Sequence, residues 1–352
     1  MHDPITRLPP EISSEIFLHC LPGAPTPNAL QAPQLLTNIC SSWSHIALST
    51  HELWKCINVD VEEHRYRDLP SILDVWLSRA GKRPLSVTLN GGFGDDTISV
   101  LKRHMWHVQE LDTTFENDEL KQLIAEESPS IRILRVQGYY PTSEVMPILS
   151  FVSQVEILAF EYLPDHDPPS DHPPEPVTLP SVQRVILGSH ERFLDRVTLP
   201  SLNTLGLPAT LPPLDTMARF LKRSSPPLQK LIVGNCEDVD MEDLWALVPS
   251  LPHLVLMTAP EGDPSPILTG LAESPHLLPN LTYVTLHAPS EPRIPKSWHS
   301  PLLAMLTARR GKISLHLEMD GDEAVAESEL IGALQGFAAD GMEIFLERRG
   351  KK

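Results

Sequence analysis

The pattern apolar-x-x-apolar-x-apolar recurs along most of the chain and limits the possible folds more than any other feature. Val108, Leu111 and Thr113 carry it first, then Ile131, Leu134 and Val136, then Val155, Leu158 and Phe160. Val182/Val185/Leu187, Leu202/Leu205/Leu207, Leu228/Leu231/Val233, Leu254/Met257/Ala259 and Leu281/Val284/Leu286 continue it. Successive starts lie 23, 24, 27, 20, 26, 26 and 27 residues apart. The last two apolar positions of each unit have the spacing of a strand with one buried face. Pro-Ser or Pro-x precedes several units, as in Pro129-Ser130, Pro180-Ser181, Pro200-Ser201, Pro252-His253 and Pro279-Asn280. A proline there ends the preceding element and costs no ladder hydrogen bond at the first residue of a strand. It also accounts for part of a high proline content, 36 in 352 residues, about twice the usual ~5%.

A strand unit repeated every ~20–29 residues is the signature of leucine-rich repeats. Helix-like segments separate the strands at Asp118–Glu127, Ser143–Val152, Asp215–Lys222, Met241–Val248 and Ile267–Ala272. The interval from Val182 to Leu202 is too short for a full helix and predicts a turn. Only Leu228-x-x-Leu231-x-Val233-x-x-Cys236 keeps the usual Asn or Cys after the strand, so the repeats are irregular. Upstream, Asp68–Ala80 is an amphipathic helix (Leu69, Ile72, Leu73, Trp76, Leu77), and a turn at Gly81–Pro84 leads into the strand Leu85–Leu89. Ile313–Leu317, a helix near Glu327–Ala338 and Met342–Leu346 are expected to form the C-terminal cap that a solenoid requires. The predicted fold class is α/β: a short helical N-terminal segment, residues 1–58, and an irregular parallel-strand solenoid, residues 59–347. Residues 164–177, rich in Pro and acid, form a flexible loop in this reading.

The N-terminal sixty residues have a different character. Leu8-Pro9-Pro10-Glu11-Ile12-Ser13-Ser14-Glu15-Ile16-Phe17 begins a helix, with Pro10 in the first turn and Glu11 at the positive helix end. Leu8, Ile12 and Ile16 fall at i, i+4 and i+8 on one stripe. Pro22, Pro25, Pro27 and Pro33 break the chain into a loop. A second helix is predicted from about Pro33 to Leu48, with Leu36, Ile39, Cys40, Trp43, Ile46 and Ala47 on one face. A short third element at Leu53-Trp54 and a strand at Ile57–Val59 follow.

In this order, Leu8-Pro9-Pro10-Glu11-Ile12…Ile16-Phe17, Cys40-Ser41-Ser42-Trp43, Ile46-Ala47 and Leu53-Trp54 closely resemble an F-box of the kind found in expanded fungal F-box families. The resemblance covers about residues 5–58. It implies docking onto the Skp-type adaptor of an SCF ubiquitin ligase, and through it onto a cullin. Carried over by position, Leu8, Pro9, Pro10, Ile12 and Ile16 make the first adaptor-binding edge, and Ile39, Cys40, Trp43, Leu53 and Trp54 support or complete it. The connection at residues 20–33 is longer than in a compact F-box. The solenoid would then hold an unidentified protein target on the strand positions between the core residues. Arg135, Arg184, Lys230, Ile232, Tyr283 and His287 are the target-binding residues expected there. The alternative is an F-box/leucine-rich scaffold acting outside a ligase.

Composition weakens other classes. With 28 Lys+Arg against 46 Asp+Glu, the net charge is −18, which disfavours binding to nucleic acid or to anionic membranes. No apolar run approaches a membrane span. The N-terminus lacks the basic and apolar regions of a secretory signal. Cys20, Cys40, Cys56 and Cys236 are too few for a disulfide framework. The expected location is therefore cytoplasmic and/or nuclear.

No nucleophile elbow, Walker loop or His-Glu-x-x-His is present, so a non-catalytic chain without a cofactor is expected. Gly91-Gly92-Phe93-Gly94-Asp95-Asp96 is expected to be a loop. Asp320-Gly321-Asp322-Glu323 lacks the fifth and sixth positions of an EF-hand. His104 and His107, without Cys or a second His pair nearby, are not expected to bind zinc.

Overall fold

A computed structural model describes residues 4–61, 66, 68–114, 117–124, 130–163, 176–190, 192–209, 211–234, 241–257, 263–288, 294–320 and 328–349. Two compact units divide the chain, Met1–Leu158 and Ala159–Lys352. The predicted N-terminal segment thus belongs to the same unit as the first repeats.

The first unit opens with helices α1 (Pro10–His19), α2 (Gln34–Thr37) and α3 (Ser41–Ser49) and a 3-10 turn at His51–Trp54. Strand β1 (Cys56–Asp60), helix α4 (Leu69–Arg79), β2 (Leu85–Asn90), α5 (Asp95–His104), β3 (Val108–Thr113), α6 (Asn117–Ile124), β4 (Ile133–Tyr139) and α7 (Thr142–Phe151) follow, up to β5 (Ile157–Leu163), within which the unit ends. β1 pairs in parallel with β2, β2 with β3 and β3 with β4. Strands such as β2 turn alternate residues into the core, burying Leu85, Val87 and Leu89. Asp68 caps α4 by accepting a hydrogen bond from the Ser71 N–H at 3.4 Å, and Leu69, Leu73, Trp76 and Leu77 form its buried stripe.

The second unit repeats the same logic. β6 (Val177–Thr178), β7 (Arg184–His190) and β8 (Val197–Thr198) lead to β9 (Thr204–Leu207), α8 (Leu214–Ser224) and β10 (Lys230–Val233). α9 (Met241–Leu247), β11 (His253–Met257), α10 (Ser265–Glu273), β12 (Tyr283–Ala288), α11 (Lys296–Ala308), β13 (Ser314–Asp320), α12 (Ser328–Ala339) and β14 (Ile344–Arg349) complete it. From β7 through β9 to β14, neighbours in sequence pair in parallel, and β6 pairs separately with β8. This is the leucine-rich-repeat-like α/β architecture: one strand per repeat, returned by a helix or turn. Among the described residues no helix is long and apolar enough to cross a membrane.

Several expectations need correction. The helix expected over 33–48 is two helices. Cys40 is extended (φ −160°, ψ 170°), and Asn38 closes α2; Thr, Asn and Ser compete with helical hydrogen bonding and favour such ends. The repeat placed at Leu254/Met257/Ala259 is out of frame by three residues. Leu231 pairs with Leu254 and Val233 with Leu256, so Leu251, Leu254 and Leu256 are its buried triad and Met257 is exposed. Asp95 and Asp96 are not loop residues but the acidic first turn of α5. β13 and β14, expected as the closing segment, pair in parallel as the strands before them do, and Phe345 and Leu346 are exposed.

The sequence reading also passed over α11, which contains Pro301. The carbonyl freed four residues before that proline, on Ser297, accepts a hydrogen bond from Ser265 Oγ at 3.3 Å. Between β7 and β9 the expected turn is present as the 3-10 segment Phe193–Arg196. Of the loop expected at 164–177, residues 164–175 lie outside the described residues, and Val177 starts β6.

Candidate functional site

Helix α1 is packed with its apolar stripe outward. Its buried residues are Ser13 and Phe17, whereas Leu8, Ile12 and Ile16 are 40, 49 and 40% exposed. Ser13 suits a close approach of backbone: its hydroxyl donates to the Ile5 and Pro9 carbonyls at 3.3 Å each. Phe17 meets Trp43 of α3 with ring centroids 5.0 Å apart, and Ser14 Oγ lies 2.9 Å from Thr50 Oγ1. These contacts fix the roll of α1 and leave Ile12 and Ile16 exposed on its other face.

Below this layer sits an aromatic anchor. The Trp54 indole N–H donates to the Ala47 carbonyl at 2.9 Å, and its ring meets Trp76 of α4 edge-on at 5.0 Å. Trp76 in turn donates to the carbonyls of Trp54 and Cys56. The Arg79 guanidinium lies 4.4 Å over the Trp54 ring, and burial holds its pKa below the ordinary value. Leu53 and Trp54 are both fully buried. Their predicted place among adaptor-contacting residues is therefore corrected: they brace the helices from inside. Trp43 is half-buried, Pro9, Pro10, Ile39 and Cys40 are exposed, and Leu35 and Leu48, which the sequence reading did not single out, are exposed as well. Of the fifteen large apolar side chains exposed among the described residues, seven lie between Leu8 and Leu48.

The outward face of the strands is mixed. In the first unit, Arg135 is ion-paired with Glu110, which also accepts from Ser86 Oγ at 2.9 Å. Burial pushes the Glu110 carboxyl up, but the hydrogen bonds from Arg135 and Ser86 outweigh it and hold the pKa below its ordinary range. Burial raises that of Asp112 next to it, despite the hydrogen bond it accepts from Gln137 at 2.9 Å.

In the second unit, register brings Arg184, Thr204, Lys230, His253 and Tyr283 into one row. At about 4.8 Å per strand step this row spans roughly 19 Å. Arg184 is exposed, Tyr283 is 51% exposed and Lys230 and Ile232 are half-buried. Thr204 is buried, so the row is broken beside Arg184. His253 is hydrogen-bonded to Thr285 Oγ1 at 3.0 Å. Burial, followed by the nearby Lys230 and His316, lowers its pKa to about 4. His287 falls two rows further along and lies against Glu318 at 3.0 Å. His104 lies 3.1 Å from Asp74, and His107 is buried.

No family model and no curated protein matches the chain. Among solved structures it is similar to the leucine-rich repeat-containing protein LegL7 from Legionella pneumophila. That match has 13% identity and a TM-score of 0.43, over 78% of this chain and 96% of the other. A protein from Bacteroides fragilis matches at 14% identity and a TM-score of 0.36, over 83% of this chain and 69% of the other.

Proposed function

We propose that the chain is a non-catalytic substrate receptor of an SCF-type ubiquitin ligase. The N-terminal helices dock onto a Skp-type adaptor, which links the chain to a cullin, and the outward face of the repeats holds a protein target. The observation that carries this reading is that α1 buries Ser13 and Phe17 and leaves Ile12 and Ile16, with Leu8 just before the helix, exposed. The ordered resemblance of residues 5–58 to an F-box names the partner for that face. Leu8, Pro9, Pro10, Ile12, Ile16 and Ile39 make the contact, and Phe17, Trp43, Leu53 and Trp54 hold them in place. The mechanism is tethering: a target held beside a ubiquitin-conjugating enzyme reacts at high effective concentration, and the receptor itself needs no nucleophile.

The test is binding of a purified Skp-type adaptor to the wild-type chain and to a Leu8→Asp/Ile16→Asp variant, with circular dichroism as the folding control. The expected result is a complex with wild type, co-purification of a cullin from extract, and at least tenfold weaker binding by the folded variant. Adaptor binding without a cullin would favour the scaffold reading. No binding by folded wild type would overturn both.

A further inference from the structure

Strands β12–β14 bring together a group of side chains that the adaptor reading does not use. His287, Glu318 and Glu347 occupy one row of the sheet by register. His316 sits two residues before Glu318 on the same face of β13, since side chains of a strand alternate. One ring nitrogen of His316 and one carboxylate oxygen each of Glu318 and Glu347 lie within 4.8 Å of one another. His316 Nε2 is 3.0 Å from Glu347 and its Nδ1 is 3.6 Å from Glu318. The other oxygen of Glu318 faces His287 Nδ1 at 3.0 Å.

We propose that His316, Glu318 and Glu347 bind a divalent transition-metal ion of the zinc type, with His287 orienting Glu318. Imidazole and carboxylate together suit zinc, at bond lengths near 2.0–2.2 Å. Two ligands of a tetrahedral zinc ion then stand about 3.4 Å apart. The two short contacts use opposite ring nitrogens, so an ion on Nδ1 beside Glu318 requires the Glu347 side chain, 58% exposed, to swing away from Nε2 toward it. The Glu318 side chain is only 10% exposed. The contact of Glu318 with His287 is the outer support that metal-binding carboxylates commonly have. Three protein ligands leave a fourth position open toward solvent. Bound there, the ion would link β13 to β14, the last strand.

The test is titration of the metal-free full-length chain with Co²⁺, read by its visible absorption and by displacement with Zn²⁺. The expected result is one ion per chain. Binding should weaken at least tenfold in Glu347→Gln and in His316→Ala, and about 10–100-fold in His287→Gln. A Cys20→Ser variant, which removes an exposed thiol, should bind as wild type does. Zn²⁺ should raise the melting temperature of wild type and not of Glu347→Gln. Absence of Co²⁺ uptake, or uptake unchanged in Glu347→Gln, would overturn the proposal. Because Glu347 is exposed, that variant decides the question even if His316→Ala fails to fold.

Discussion

Helices α1 and α4 carry the same kind of apolar stripe and use it in opposite ways. In α4, Leu69, Leu73, Trp76 and Leu77 point into the core, while Ser71 and Ser78 face water. In α1, Ile12 and Ile16 face water, while Ser13 is buried. Periodicity reveals that a stripe exists; it does not reveal what covers it. The distinction lies in the opposite face. That of α4 carries Ser71 and Ser78 around one exposed valine, Val75, whereas α1 has Phe17 there, and Phe17 has an aromatic partner in Trp43. A helix with two usable faces needs two partners.

The largest expected effect is at the joint between the two regions. Trp54→Ala removes the edge-on contact with Trp76, the Arg79 contact and the bond to Ala47. It should cost about 3–5 kcal/mol in urea unfolding. A loss below about 1 kcal/mol would mean that the N-terminal helices are not anchored there. A matched pair comes next: Leu73→Ala should cost about 2–5 kcal/mol, and Ile12→Ala about 0.5 kcal/mol or less. Equal losses would erase the contrast between the two helices.

Smaller in effect but sharper in meaning is an exchange within α1. Ser13→Leu should overpack and destabilise by about 1–3 kcal/mol, while Ile12→Ser one residue earlier should be close to neutral. The reverse order would roll the helix over.

The final contrast is in pH response and falls in the repeats. His253 titrates near 4 in the fold against an ordinary 6.5, so between those values the unfolded chain binds more protons. Stability from this group is complete above pH 6.5 and is lost as pH falls toward 4. His253→Gln should flatten the stability profile in that window; an unchanged slope would show that another group is responsible.

Much of this architecture was legible from the residues. The buried triads, the short connection before Leu202 and the helices between strands follow from spacing, since most strands bury every second residue, while β9 and β11 bury more. The break at Cys40 was not legible, because the apolar periodicity runs straight through it and only backbone hydrogen bonding decides. The frame of the β11 repeat was missed because Leu251, Leu254, Leu256 and Met257 offer two registers, and only pairing with β10 selects one.

The stripe of α1 was legible from spacing, its outward orientation was expected only through the resemblance, and Leu53-Trp54, named to support or complete the edge, support it from the core. The cluster at His316 was hidden for a different reason. Its members are 29 or more residues apart in sequence except for Glu318, and their row appears only once β12, β13 and β14 are in register.

The central claim is that the stripe of α1 is a binding face while the equivalent stripe of α4 is core. Amide hydrogen exchange on the full chain, with and without a Skp-type adaptor, tests it most directly. The account expects new protection within residues 8–19 and 34–49 and none in α4 or the strands. Protection confined to the strands, with α1 unchanged, would contradict it.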